Sequence, residues 1–173
     1  MSTRLDLSKL SLMDALDLAK LIEMEACHRY QMFASQFGHS GGYDAGAFFA
    51  TMVENEAKHG QELEARRKAL FGDAPAKLTL DDLFDVEAPD MGAPRRGMST
   101  LEAFEMGLAA EKKAYDFYDM ALPGITNPEV RELFTELRDE EMEHADMLRE
   151  AMAKLPKSAG DEVEFDVDET PYL

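Results

Sequence analysis

Apolar residues recur at steps of three and four along four stretches of this chain, the spacing that gives a helix one dry face. The first stretch begins after Ser11, with Asp14 three residues on as a capping partner, and stops at Gly38. The second begins after Asp44 and ends at Gly72, a glycine placed just past a helix end. The third opens with "STLE", where Ser99 and Glu102 have capping-box spacing, and Pro123 stops it. The fourth opens with "NPEV", an Asn127 cap with Pro128 at the first helical position, and must end before Pro156. These signals predict helices over 12–37, 45–71, 100–121 and 128–154, each about 33 to 40 Å long.

Short turns join the first helix to the second and the third to the fourth, so each pair should form an antiparallel hairpin. The expected fold is all-α: an antiparallel four-helix bundle over residues 1–157, with a long crossover at 72–99. That crossover contains Pro75, Pro89 and Pro94 and could stretch about 90 Å, enough to run the length of a bundle. Within it, "LTLDDLF" predicts a short helix. The remaining 158–173 is an acidic tail, either loose or strapped onto a neighbouring subunit. His39 falls in the glycine-rich turn "GHSGGYD" as a loop residue without assigned work.

Four glutamates break the dry faces. With each residue placed at about 100° per step, Glu56 sits among Ala45, Phe49, Met52, Val53, Gly60 and Leu63, and His59 lies on the same stripe. Glu141 sits among Val130, Phe134, Leu137, Ala145, Leu148 and Met152, with His144 again three residues on. Glu23 lies among Leu12, Leu16, Ala19, Cys27, Tyr30, Ala34 and Phe37. Glu111 lies among Phe104, Gly107, Leu108, Ala114, Tyr115, Tyr118 and Leu122. Glu25 and His28 have the same Glu-x-x-His spacing but fall on the opposite side of the first helix, beside Asp14 and Asp17, and are read as surface residues. Position on the stripe, not spacing, is what selects a site.

The four stripe carboxylates all sit about 15 to 20 Å from their hairpin turns, so they share one level of the bundle. Equivalent glutamates of the two hairpins are roughly 85 to 90 residues apart, an approximate internal repeat. Left bare, each would cost several kcal/mol against a typical folding free energy of about 5 to 15 kcal/mol. No lysine or arginine lies on the stripes at that depth. Two divalent cations would balance the charge, and neutral imidazoles would add nitrogen ligands.

Overall composition narrows the alternatives. With 36 acidic and 18 basic side chains the formal charge is −18, which disfavours nucleic acid or an anionic membrane as partner. One cysteine, Cys27, excludes an internal disulfide and any four-cysteine metal site, and is read as a small buried hydrophobe. No apolar run of about eighteen residues predicts a transmembrane helix. The start "MSTRLDLSKLSLMD" has no signal-peptide core, so a cytoplasmic protein is expected.

The stretches "EMEACHRYQMFA", "ENEAKH", "EKKAYDFY" and "DEEMEH" together resemble the ferritin-like di-iron carboxylate superfamily, and within it the rubrerythrin branch. The resemblance covers most of residues 12–155. It implies Glu23 and Glu111 as terminal carboxylates, Glu56 and Glu141 as bridging ones, and His59 and His144 as one cap per metal. It also implies that Tyr30 and Tyr118 hydrogen-bond to ligand glutamates. Two iron ions are the implied cofactor, with manganese or zinc able to take the same oxygen-rich donors. The implied chemistry is oxidation of Fe(II), or reduction of peroxide or dioxygen, in a homodimer. Rubrerythrins carry a further glutamate one turn along the third helix, where this chain has Ala114, and a rubredoxin domain, for which it lacks cysteines. Electrons must then come from an external donor. The rival expectations are a di-iron monooxygenase with an organic substrate, which needs an apolar access channel, and a non-catalytic iron-handling bundle.

Overall fold

The computed structural model describes residues 6–38, 45–79 and 97–160. Four long helices carry the fold: α1 (Leu12–Phe37), α2 (Ala45–Phe71), α3 (Thr100–Ala121) and α4 (Pro128–Met152). Short 3₁₀ turns occupy Leu7–Lys9, Leu122–Gly124 and Lys157–Gly160, and no strand occurs among the described residues. α1 packs mainly on α2 and α3 on α4, and α1 also touches both helices of the second hairpin. The turn with His39, the middle of the crossover with most of "LTLDDLF", and the tail from 161 lie outside the described residues.

The helix starts follow their capping chemistry. Ser11 Oγ accepts the Asp14 N–H at 3.2 Å and donates to the Asp14 carboxylate at 2.6 Å. Ser99 and Glu102 form the reciprocal box, with the Glu102 carboxylate accepting the Ser99 N–H at 2.9 Å. Asn127 caps the N–H groups of Glu129 and Val130 ahead of Pro128. α2 ends at Gly72, whose φ of +60° needs a residue without a Cβ. At the other end of the first hairpin the two helices close tightly: a Cβ on Gly46 would lie 2.5 Å from Gly38 Cα. α4 stops at Met152, two residues short of the expected Lys154: the Ala153 N–H still bonds to Arg149 four residues back, but the Lys154 N–H bonds to Ala151 three back, a tightened last turn.

The apolar interior is split in two. One cluster gathers Leu16, Ala19 and Ile22 with Leu63, Tyr118, Phe134 and Leu137. The other gathers Tyr30, Phe33 and Phe37 with Phe49, Met52, Phe104 and Leu148. Rings in the second cluster interlock, with Phe49 centred 4.7 Å from Phe104 and 5.0 Å from Phe33. On every helix the sequence gap between the two clusters is where the stripe glutamate falls.

Asp17, expected on the wet side of α1, is buried, as is Arg67 on α2. The two form a bidentate pair, and Arg67 also donates to the Ala74 carbonyl at 2.8 Å. The wheel misplaced Asp17 because it registers only the helix's own stripe, not an arginine reaching over from the partner helix. The pair clamps the start of the crossover onto the first hairpin, about 16 Å along α2 from Glu56, too far to neutralise it. Asp17→Ala strands a buried guanidinium and should cost about 3 to 5 kcal/mol in denaturant unfolding. Asp17→Leu with Arg67→Met should recover most of that loss; a double variant as unstable as the single would contradict the account.

Candidate metal centre

Each helix delivers its carboxylate to the layer between the two apolar clusters. Glu23 from α1, Glu56 from α2, Glu111 from α3 and Glu141 from α4 are all buried, and so is His144. His59 is less enclosed than expected, with 17% of its side chain exposed. Among the neighbours expected on the dry stripes, Val53, Gly60, Leu108, Tyr115 and Met152 are half-buried. The pair read as surface residues behaves differently, with His28 exposed and Glu25 half-buried.

The two hairpins meet through these side chains. His144 Nδ1 lies 3.1 Å from Glu56 Oε1 and 3.5 Å from Glu111 Oε2. His59 Nδ1 lies 3.8 Å from Glu23 Oε2, and the two imidazoles stack at 5.2 Å, tilted by 10°. Tyr30 donates to Glu111 Oε1 across the bundle. Gly107, one turn before Glu111, makes that reach possible: a Cβ there would sit 3.5 Å from the Tyr30 hydroxyl and 3.2 Å from Leu148. Tyr118 is fully buried with its ring against Phe117 and Phe134.

Titration behaviour follows from crowding like charges in a dry layer. Burial pushes the Glu23 carboxyl well above the usual carboxylate range, and the adjacent Glu56 pushes it further. Burial and then the Glu111 charge do the same to Glu141. For Glu111 burial also pushes upward, but His144, Glu141 and Tyr30 hydrogen-bond to it and hold it below the usual value. Burial alone would lower the His144 imidazole, yet Glu111 and Glu56 raise it to about 10. The Tyr30 hydroxyl is pushed up by burial and by Glu111.

Three buried ligand-type atoms lack an aligned hydrogen bond: Glu56 Oε1, His59 Nδ1 and His144 Nδ1. Together Glu56, His59 and His144 bring donor atoms within 4.8 Å of one another, and so do Glu111, Glu141 and His144. Glu23 joins this group through His59 and Glu56. Buried carboxylate oxygens and imidazole nitrogens without an aligned hydrogen bond, with His144 common to both groups, fit divalent first-row metal.

One residue was missed by the sequence reading. Glu140 Oε2 lies 3.8 Å from His59 Nδ1, as close as Glu23. It is half-buried, its carboxyl pushed above the usual value by desolvation, and it edges a small cavity of about 110 Å³ beside His59. Glu140 thus faces the same ring nitrogen as Glu23 and adds a negative charge there, which strengthens the attraction of this edge for a cation. Periodicity hid Glu140 because it sits one step off the stripe; only the position of His59 on the facing helix reveals it. Cys27 departs from its reading as a buried hydrophobe: it is half-buried on the rim of a groove between α1 and α2.

The rubrerythrin family model matches residues 14–152, and again 102–166. An uncharacterised conserved protein from Magnetospirillum magnetotacticum MS-1 superposes with a TM-score of 0.70 at 26% identity, covering 86% of this chain and 97% of that one. A dodecameric thioferritin, the bacterioferritin-related protein of Bacteroides fragilis, superposes at 0.62 with 20% identity, over 87% of this chain and 88% of its own. No curated protein matches the chain. No helix among the described residues is long and apolar enough to cross a membrane.

The raised groups predict an unusual stability profile for metal-free protein. Glu23 and Glu141 contribute fully below the unfolded carboxylate value near 4.5 and progressively less as pH rises. His144 contributes fully below 6.5 and fades towards 10. Glu111 works in the opposite sense and is lost only below 4.5. Calorimetry of metal-free protein should therefore show Tm falling from about pH 5.5 to pH 9, with divalent metal flattening the curve. A metal-free Tm that climbs across this range would contradict the electrostatics. Glu140→Ala should weaken metal binding about tenfold or more without unfolding the chain, read by competition with a chromophoric chelator.

Proposed function

The chain belongs to the rubrerythrin family, and from that premise we propose that it is a di-iron carboxylate oxidoreductase, oxidising Fe(II) or reducing peroxide or dioxygen inside the bundle. The observation that supports this reading is the layer of four buried glutamates with buried His144 and half-buried His59, in which ligand-type atoms lack an aligned hydrogen bond. Glu23, Glu56 and His59 hold one metal in this reading, and Glu111, Glu141 and His144 the other, with Glu56 and Glu141 reaching across. Two such ions, iron or in its place manganese, would supply the redox equivalents and polarise the oxygen substrate; zinc would fill the same donors without redox chemistry.

The remaining work belongs to the chain's own side chains. Tyr30 fixes the Glu111 carboxylate by donating to Oε1. Glu140 adds a negative charge beside His59 Nδ1. The rings of Phe33, Phe49 and Phe104 on one side and Leu16, Phe134 and Leu137 on the other keep bulk water from the layer. Around the cavity beside His59, Arg66 pairs with Glu136, and the remaining acids Glu62 and Glu140 suit a cationic substrate approaching from solvent. An external electron donor is part of this reading. A cytoplasmic homodimer completes the reading; the dodecamer named above is a property of the Bacteroides protein.

A second reading, oxygenation of an organic substrate, is favoured by one observation. An apolar groove of about 540 Å³ between α1 and α2 reaches Glu23 and Glu56. Stopped-flow mixing of the reduced, iron-loaded protein separates the two. Oxidation by peroxide faster than by dioxygen supports the rubrerythrin-type reaction, and the reverse order supports ferroxidase or oxygenase chemistry. Tyr30→Phe should slow the favoured reaction about tenfold while leaving metal content unchanged, since one charge-assisted hydrogen bond is removed.

A further inference from the structure

The groove between α1 and α2 is apolar along its length and charged at one end. Its walls come from one face of each helix, spanning Lys20 to Gln31 on α1, a length of about 16 Å. The lining is largely apolar: Met24, half exposed, with Cys27, Ala57 and Gly60. Gly60 keeps the floor low, since even a Cβ there would only touch Glu23 Cβ at 3.8 Å. At one end stand Lys20 and Lys68. Lys20 pairs with Glu64, and Glu64 is also drawn down by Arg67 and Lys68. Arg67 is matched by Asp17, so the two lysines against Glu64 leave this end with one net positive charge in a chain of formal charge −18.

We propose that this groove binds an amphipathic organic anion of fatty-acid type. Its carboxylate pairs with Lys20 and Lys68, and its chain lies over Met24, Cys27, Ala57 and Gly60 against the backs of Glu23 and Glu56. The volume falls within the usual range of small-ligand pockets, mostly apolar with a few placed polar groups. A saturated chain of about twelve carbons matches the groove's length. The cationic end selects an anionic head, because a cationic head would be repelled by the one positive charge that Glu64 leaves unbalanced there, and an uncharged head gains nothing from it. The inference rests on the dinuclear reading only in placing the bound chain beside metal-bearing carboxylates; the binding itself needs only the groove.

Titration calorimetry of the metal-loaded full chain with dodecanoate, below its micelle concentration, tests this directly. One dodecanoate should bind per chain, and dodecyltrimethylammonium about tenfold more weakly or not at all. Gly60→Leu should abolish binding by filling the floor, and Lys20→Gln with Lys68→Gln should weaken it about tenfold, with metal content unchanged in both. Because Cys27 is the single cysteine and lies in the groove, bound dodecanoate should also slow its alkylation by iodoacetamide. Absence of binding, equal binding of the cationic amphiphile, or binding indifferent to Gly60→Leu would overturn the proposal. So would a dimer that rejects dodecanoate and falls to monomers on Gly60→Leu, which assigns the groove to a second copy. Two bound metals without dodecanoate binding sinks this inference alone; dodecanoate binding in a chain that takes no metal sinks the dinuclear reading alone.

Discussion

A carboxylate moved out of water into an apolar interior costs several kcal/mol unless something of opposite charge or a hydrogen-bond donor meets it, and this bundle buries four of them at one level. Much of the surrounding architecture answers that cost. Tyr30 crosses from α1 to Glu111, Gly107 clears space for its ring, and His144 sits between Glu56 and Glu111. These contacts satisfy only part of the layer. Burial pushes the Glu23 and Glu141 carboxyls towards the protonated form, and atoms on Glu56, His59 and His144 point at nothing aligned. The apolar clusters above and below supply the folding free energy, about 1.5 to 3 kcal/mol for each large buried side chain, and so allow the layer to stay under-satisfied. That tension is what bound divalent metal would relieve.

The long-range order of the bundle was legible because it is written in local signals. Capping residues, Pro128, Gly72 and an unbroken 3.6-residue pattern set four helices, and the same pattern placed Glu23, Glu56, Glu111 and Glu141 on dry faces. What stayed hidden depends on a second helix. Asp17 looked exposed on its own wheel and is buried because Arg67 comes to it from α2. Glu140 lies one step off the stripe and matters only because His59 faces it. Cys27 has the right angle for burial but borders a groove, because Ala57 and Gly60 opposite it are too small to close the gap. Small residues on a stripe are read as tight packing from one sequence; here they are an opening.

The two hairpins, similar in pattern, are unequal in enclosure. The second hairpin's Glu111, Glu141 and His144 are all buried, whereas the first hairpin's side meets solvent twice, at His59 and through the α1–α2 groove. Any small substrate has its shortest approach there. An acidic approach beside His59 and an apolar one behind Glu23 would give a cation and an organic molecule separate routes to the same layer.

The central claim, that the buried acids are a binding site for two divalent cations, is tested most directly by anomalous X-ray diffraction from crystals of manganese- or iron-loaded protein. The account predicts two anomalous peaks about 3.5 to 4 Å apart in the layer between the apolar clusters, bordered by Glu56, His59, Glu141 and His144. Peaks confined to surface acids, with the buried layer bare at saturating metal, would contradict it.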